Sequence, residues 1–113
     1  QYLDADYSGT SGACQSEQIG VQKLQGFTAW LREHHKVGFL GEFAAGSDPV
    51  CMAALESMLE HIETNADVWL GWTYWAGGAW GKPDYPFNVQ PDKEGNEKAQ
   101  MTVLSKKASQ VTD

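Results

Sequence analysis

The chain has 113 residues and a formal charge of -7 at neutral pH, and this length allows one domain at most. The acidic balance argues against nucleic acid and against an anionic membrane surface as partners. No apolar run approaches the roughly 20 residues that a membrane-spanning helix requires, so we expect no membrane partner of that kind either.

The first half of the chain predicts a strand end, a loop, a helix and a strand. "QYL" is typical of the end of a strand, and the small polar residues 4–13 that follow predict a loop. Leu24, Phe27 and Leu31 recur at helical spacing with polar residues between them, which predicts a helix over 19–35. The apolar run 36–41, "KVGFLG", predicts a buried strand that ends beside Glu42.

The second half predicts a helix, a strand and a weaker helix. Asp48 followed by Pro49 is a good helix start, with Asp as the N-cap and Pro in the first turn. The run 67–75, "DVWLGWTYW", predicts the next strand, a Gly/Pro-rich loop follows it, and 97–111 predict a closing amphipathic helix. The helix after Asp48 has one apolar stripe at helical spacing, formed by Cys51, Ala54, Leu55, Met58, Leu59 and Ile62.

Strands that alternate with helices predict an α/β fold with parallel pairing and right-handed crossovers. Such a sheet is either doubly wound or part of a barrel, and in both folds ligands bind beyond the carboxyl ends of the strands. Tyr2, Glu42 and Trp75 stand at the three predicted ends. The small residues 44–46 are expected to leave open space above Glu42.

Three blocks of sequence resemble the C-terminal part of family 5 glycoside hydrolases, in particular fungal-type secreted endo-β-1,4-glucanases. They are "QYLDADYSGTSGAC", "KVGFLGEFAAGSDPVC" and "ADVWLGWTYWAGGAW", and the resemblance weakens after about Phe87. It implies that residues 1–113 are one partial barrel domain, the C-terminal three βα units of a TIM (β/α)8 barrel. It also implies a secreted enzyme that hydrolyses β-1,4-glucosidic bonds in cellulose with retention, without a cofactor or a metal.

The resemblance assigns site residues one by one. It implies that Glu42 is the nucleophile and that Tyr2 hydrogen-bonds to it and orients it. Trp75 would be a sugar platform beside the cleavage point, and Trp80 a second platform at a more distant subsite. The resemblance also implies a cis peptide bond between Trp75 and Ala76.

The two cysteines, by their number alone, could be paired or free. Cys14 lies in the loop after one predicted strand, and Cys51 lies in the first turn of the next unit's helix. Both are on the carboxyl side of the sheet in adjacent units, so we expect a disulfide between them. Such a bond also fits secretion.

The chain departs from the family pattern in its second catalytic carboxyl. The family's acid/base Glu belongs to an Asn-Glu pair at the end of a strand, and the chain's Asn96–Glu97 stands instead at the start of the last predicted helix. Asp4 and Asp6 follow Tyr2 closely enough in sequence to lie near Glu42, so they are considered as substitutes for the acid/base Glu. Their loop, however, predicts solvated side chains. We therefore interpret the chain as carrying half of the carboxylate pair.

Two function classes remain open. The first is an enzyme, in which the chain is the C-terminal portion of an endoglucanase or of a related mannan or xyloglucan hydrolase. The second is a catalytically incomplete carbohydrate-binding fragment. His34 and His35 have no partner at metal-ligand spacing, so zinc is not expected. Three βα units leave open sheet edges and apolar strand faces, so the expected partners are a β-glucan and either the missing N-terminal barrel segment or a second copy.

Overall fold

The structure is a computed structural model that describes residues 3–4, 8, 11–79, 82 and 84–108. Helices and strands alternate in chain order, and strands β1 and β2 pair in parallel. This arrangement confirms the predicted α/β fold. The elements are α1 (Ile19–Glu33), β1 (Gly38–Phe43), α2 (Pro49–Thr64), β2 (Trp69–Tyr74) and α3 (Met101–Ala108).

A third piece of extended chain lies beside the end of β1. The backbone N–H of Leu3 donates to the carbonyl oxygen of Ala44 at 3.1 Å, and Leu3 is fully buried. Asp4 then pairs with Cys14 in an isolated antiparallel bridge. Leu3 therefore lies next to β1, as expected for the end of a preceding strand.

The core forms where α2 packs against the sheet. The carboxylate of Asp48 accepts a hydrogen bond from the backbone N–H of Cys51 at 2.7 Å, and Pro49 opens the helix, so the predicted helix start is confirmed. The predicted apolar stripe is also confirmed, because each of its members is buried: Cys51, Ala54, Leu55, Met58, Leu59 and Ile62.

Polar contacts join α1 and α2 to the start of β2. The indole N–H of Trp69 donates to the buried hydroxyl of Thr28 at 3.0 Å, and Nε2 of His61 lies 2.8 Å from the same oxygen. Burial, with the charge of Arg32 as a smaller cause, lowers the pKa of His61. A neutral imidazole is therefore favoured between the two helices.

Ion pairs attach α3 to α2. Nζ of Lys106 lies 2.6 Å from a carboxylate oxygen of Glu56, and this pairing lowers the pKa of Glu56. The nearly buried Nζ of Lys107 lies 3.7 Å from Glu60 and 3.3 Å from Glu63. The acidic residues of α2 thus lie off its buried apolar stripe and pair with the two lysines of α3.

Several predicted element boundaries are wrong: α1 ends at Glu33 and not at 35, and β2 spans Trp69–Tyr74 and not 67–75. The strand predicted over 36–41 is observed at Gly38–Phe43, because His35 adopts a left-handed conformation (φ 54°) and the chain is still leaving α1. The helix predicted over 97–111 begins at Met101 within the described residues. The carboxylate of Asp92 instead holds the chain in a turn by accepting bonds from the backbone N–H groups of Glu94 and Asn96.

One sheet face is covered by helices, and the other exposes apolar side chains. Leu40 and Phe43 of β1 are buried, whereas Phe39 is 53% exposed and Leu70 of β2 is 68% exposed. Phe27 of α1, which has the helical spacing of a core residue, is 47% exposed, but it lies on the helix side of the sheet with its ring edge-on to that of Trp69. Phe39 and Leu70 confirm the expected exposure of apolar strand faces, and a surface of this kind normally marks an interface.

Candidate active site

Glu42 occupies the penultimate position of β1, and its side chain is exposed. Its backbone is fixed by bonds on both sides, because the Thr73 hydroxyl donates to Gly41 O at 2.6 Å and the Trp75 N–H donates to Phe43 O at 2.9 Å. Phe43 is fully buried, with its ring edge-on to those of Trp72 and Tyr74. The fold therefore presents a carboxylate at the carboxyl end of the strand pair on a rigid backbone.

Trp75 lies at the same edge of the sheet, directly after β2. Its side chain is half-buried, and its indole N–H donates to the hydroxyl of Tyr85 at 3.2 Å. The peptide bond between Trp75 and Ala76 is cis, which confirms that expectation. Glu42 and Trp75 are thus brought to one edge, whereas Tyr2 and Trp80 lie outside the described residues.

Buried polar groups join the loops that follow the two strands. The hydroxyl of Tyr74 lies 3.1 Å from Ala45 O and 2.9 Å from Phe87 O, and burial is the main cause that raises the pKa of Tyr74. The amide of Gln100 donates to Ala45 O at 3.1 Å and to Pro86 O at 2.9 Å. A neutral phenol and a neutral amide therefore hold the loop after Glu42 against the loop after Trp75.

Neither Gln100 nor Tyr85 is predicted as a site residue by the sequence. Gln100 falls inside the stretch that the pattern predicts as helix, and its contacts lie 55 and 14 residues away along the chain. Tyr85 stands in a Gly/Pro-rich loop with no periodicity. Its aromatic type was the one available signal, and that signal does not indicate a partner.

The expectation of open space at residues 44–46 is wrong. Ala44, Ala45 and Gly46 are all buried, and the loop that contains Gly12 packs directly on Gly46. A methyl group at Gly46 would overlap the carbonyl oxygen and carbon of Gly12. These residues are small because two loops approach closely, and the space beside Glu42 does not come from them.

Replacing Gly46 with Ala is expected to lower the free energy of unfolding by about 2 kcal/mol, because backbone atoms must move to make room. Gly26, inside α1, is the matched control, since a methyl group there meets nothing within 4 Å. Gly26→Ala should stabilise the protein by about 0.5 to 1 kcal/mol through helix propensity. Urea unfolding of both variants measures the difference, and equal effects would contradict the close approach.

The disulfide between Cys14 and Cys51 is present, with the two Cα atoms 5.3 Å apart. It joins the loop after Asp4 to the first turn of α2, and Cys51 is fully buried. The expected pairing is confirmed. The bond fixes the same loop that packs on Gly46.

Asp4 is not solvated, so that expectation is wrong. The residue is fully buried, and its Oδ2 accepts from the Ser8 hydroxyl and from the Ser11 backbone N–H, both at 3.2 Å. A small polar stretch predicts exposed side chains because such a loop usually extends into solvent. Here Asp4 pairs with Cys14, and the disulfide of Cys14 holds this part of the chain against α2. Asp4 therefore holds the loop together, while Asp6 lies outside the described residues.

The described part of the chain contains no group of three or more His, Cys, Asp or Glu residues arranged to hold a metal ion. Over the same residues, no helix is long and apolar enough to cross a membrane.

Comparison with known proteins gives one consistent family. The sequence profile of the family "Cellulase (glycosyl hydrolase family 5)" matches residues 1–78. Endoglucanase 3 of Humicola insolens is 54% identical over 91 residues, which are 80% of this chain and 23% of that protein. Endoglucanase gh5-1 of Neurospora crassa is also 54% identical over 91 residues, with the same coverage.

Solved structures of endoglucanases are also similar to this chain. An endo-beta-1,4-glucanase from Xanthomonas axonopodis pv. citri superposes with a TM-score of 0.96 at 55% identity, over 100% of this chain and 36% of that chain. XacCel5A, solved in complex with cellopentaose, has a TM-score of 0.90 at 64% identity, over 95% of this chain and 34% of that chain. The chain thus spans about a quarter of the curated relatives it matches and about a third of these structures.

Proposed function

Because the chain belongs to the cellulase family of glycosyl hydrolases, family 5, we propose that it supplies the nucleophile half of a retaining endo-β-1,4-glucanase active site. The elements described above are accordingly part of a TIM barrel. One observation carries the proposal: an exposed carboxylate, Glu42, and a half-buried indole, Trp75, lie on neighbouring strand ends at the edge where such barrels bind ligands.

In this proposal Glu42 attacks the anomeric carbon and forms the glycosyl-enzyme intermediate. Tyr2 orients the Glu42 carboxylate and tunes its basicity. Trp75 and Trp80 stack on the apolar faces of glucose units, since aromatic rings bury large areas and retain a polar edge. A second carboxyl about 5 to 5.5 Å from the nucleophile must act as acid/base, and it comes from outside this chain.

We propose β-1,4-linked glucan as the substrate. XacCel5A was solved with cellopentaose bound, and the relatives from Humicola and Neurospora are named endoglucanases. The disulfide between Cys14 and Cys51 supports a secreted protein, because such bonds persist in oxidising compartments.

The proposed protein partner is the rest of the barrel, which the resemblance implies lies N-terminal to this chain. That segment would cover Phe39 and Leu70 and would close the sheet edge beside Leu3. It would also bring the acid/base carboxyl to Glu42. A second copy of the chain would cover the apolar face but would supply a second nucleophile in place of an acid/base.

The test is a hybrid barrel, in which residues 1–113 replace the 36% of the Xanthomonas endo-beta-1,4-glucanase that they match. We expect the hybrid barrel to hydrolyse soluble cellulose with retention and the isolated chain to show no measurable activity. The isolated chain should also self-associate in light scattering, because its apolar face is uncovered.

Three outcomes would go against the proposal. A folded hybrid barrel that binds cellopentaose but never hydrolyses it would favour the carbohydrate-binding alternative. A hybrid barrel that hydrolyses mannan or xyloglucan faster than cellulose would show that the proposed substrate is wrong. A monomeric isolated chain that hydrolyses cellulose would overturn the need for a carboxyl from outside.

A further inference from the structure

The indole of Trp75 has a specific polar partner. Its Nε1–H donates to the hydroxyl of Tyr85 at 3.2 Å, and the ring of Tyr85 stands edge-on to that of Phe87, with centroids 5.4 Å apart at 61°. Phe87 is fully buried. A buried residue therefore supports the tyrosine, and the tyrosine in turn accepts the indole N–H of Trp75.

The loop that carries Tyr85 is held in place by backbone bonds. Tyr85 N–H donates to Lys82 O at 3.0 Å, and Asn88 N–H donates to Tyr85 O at 3.1 Å. Val89 N–H donates to Ala76 O at 3.0 Å, which ties the end of the loop to the residue after Trp75. The hydroxyl of Tyr85 is thus presented from a fixed backbone.

A flat side chain can stack on a sugar only if its plane is fixed. The χ2 torsion of an indole is broad, so packing and hydrogen bonds must select one orientation. Small errors in the placement of a binding group weaken the interaction it makes.

From these contacts we propose that Tyr85 is a positioning residue, whose hydroxyl fixes the plane of Trp75 and thereby sets the affinity of the site for β-1,4-linked glucose units. This inference rests on the proposed function, because it takes Trp75 to be a sugar platform. It adds a residue and a contact that the family resemblance does not assign.

The experiment is a double-mutant cycle in the hybrid barrel with Glu42→Gln, so that cellopentaose binds without turnover. Tyr85→Phe removes the hydroxyl and keeps the ring against Phe87. We expect it to raise the Kd of cellopentaose about two- to tenfold, the range that loss of one hydrogen bond gives. In a Trp75→Phe background the same change should have no further effect, because Tyr85 acts through the indole.

Thr28→Val is the matched control. It removes a buried hydroxyl that accepts from another indole N–H, that of Trp69 at the start of β2, the end of the strand opposite the site. We expect a lower unfolding temperature with the Kd unchanged, so a general loss of stability is separated from positioning of the Trp75 indole.

The outcomes separate the two proposals. If Trp75→Phe weakens binding and Tyr85→Phe does not, or if Tyr85→Phe weakens binding equally in both backgrounds, the inference about Tyr85 is wrong and the platform stands. If Trp75→Phe leaves the Kd unchanged, Trp75 is not a sugar platform, and the inference about Tyr85 is then wrong as well.

Discussion

Replacing Glu42 with Gln is expected to lower the turnover of soluble cellulose by the hybrid barrel by at least about four orders of magnitude, with cellopentaose binding retained. An amide cannot form the glycosyl-enzyme intermediate, whereas it keeps the shape and much of the hydrogen-bonding capacity of the carboxylate. Because the backbone of Glu42 lies between two cross-strand bonds, the substitution should leave the site's geometry intact. Turnover and cellopentaose titration on the same preparation measure both effects.

Glu33→Gln is the control for charge. Glu33 ends α1 and is exposed, and α1 leads into the amino end of β1, away from Glu42. We expect normal turnover from this variant. Turnover near the parent level in Glu42→Gln would show that another carboxylate performs the attack.

Removing the disulfide is expected to lower the free energy of unfolding of the hybrid barrel by about 4 kcal/mol. The bond joins residues 37 positions apart, and the chain-entropy estimate for a loop of that length gives this figure. The suitable variant combines Cys14→Ser with Cys51→Ala, because Cys51 is fully buried and a hydroxyl there would require a partner.

Urea unfolding with and without reductant measures this loss. Reduction of the parent protein should reproduce the effect of the double substitution, and reductant should leave the double variant unchanged. A loss below about 1 kcal/mol would mean that the contacts of Asp4 and Gly46 hold the loop without the bond.

Most elements of the fold could be predicted from local sequence. The apolar stripe of α2 and the Asp48–Pro49 start follow from helix periodicity and from the capping needs of free N–H groups, which involve residues a few positions apart. Glu42 at a strand end and Trp75 at the next could be predicted in the same way, as interruptions of apolar runs. Their spacing was enough to indicate a parallel sheet, and the three motif blocks were enough to indicate the family.

Contacts between distant segments decided the rest. The sequence by itself determined the element order, the location of Glu42 and Trp75 near the carboxyl ends of the strands and, from the placement of the loops, the pairing of Cys14 with Cys51. It did not determine that Asp4 is buried, that small residues 44–46 lie beneath the Gly12 loop, or that Tyr85 holds Trp75. Periodicity reports which face of an element is apolar, whereas these features depend on which loops meet, and only the packed chain brings those loops together.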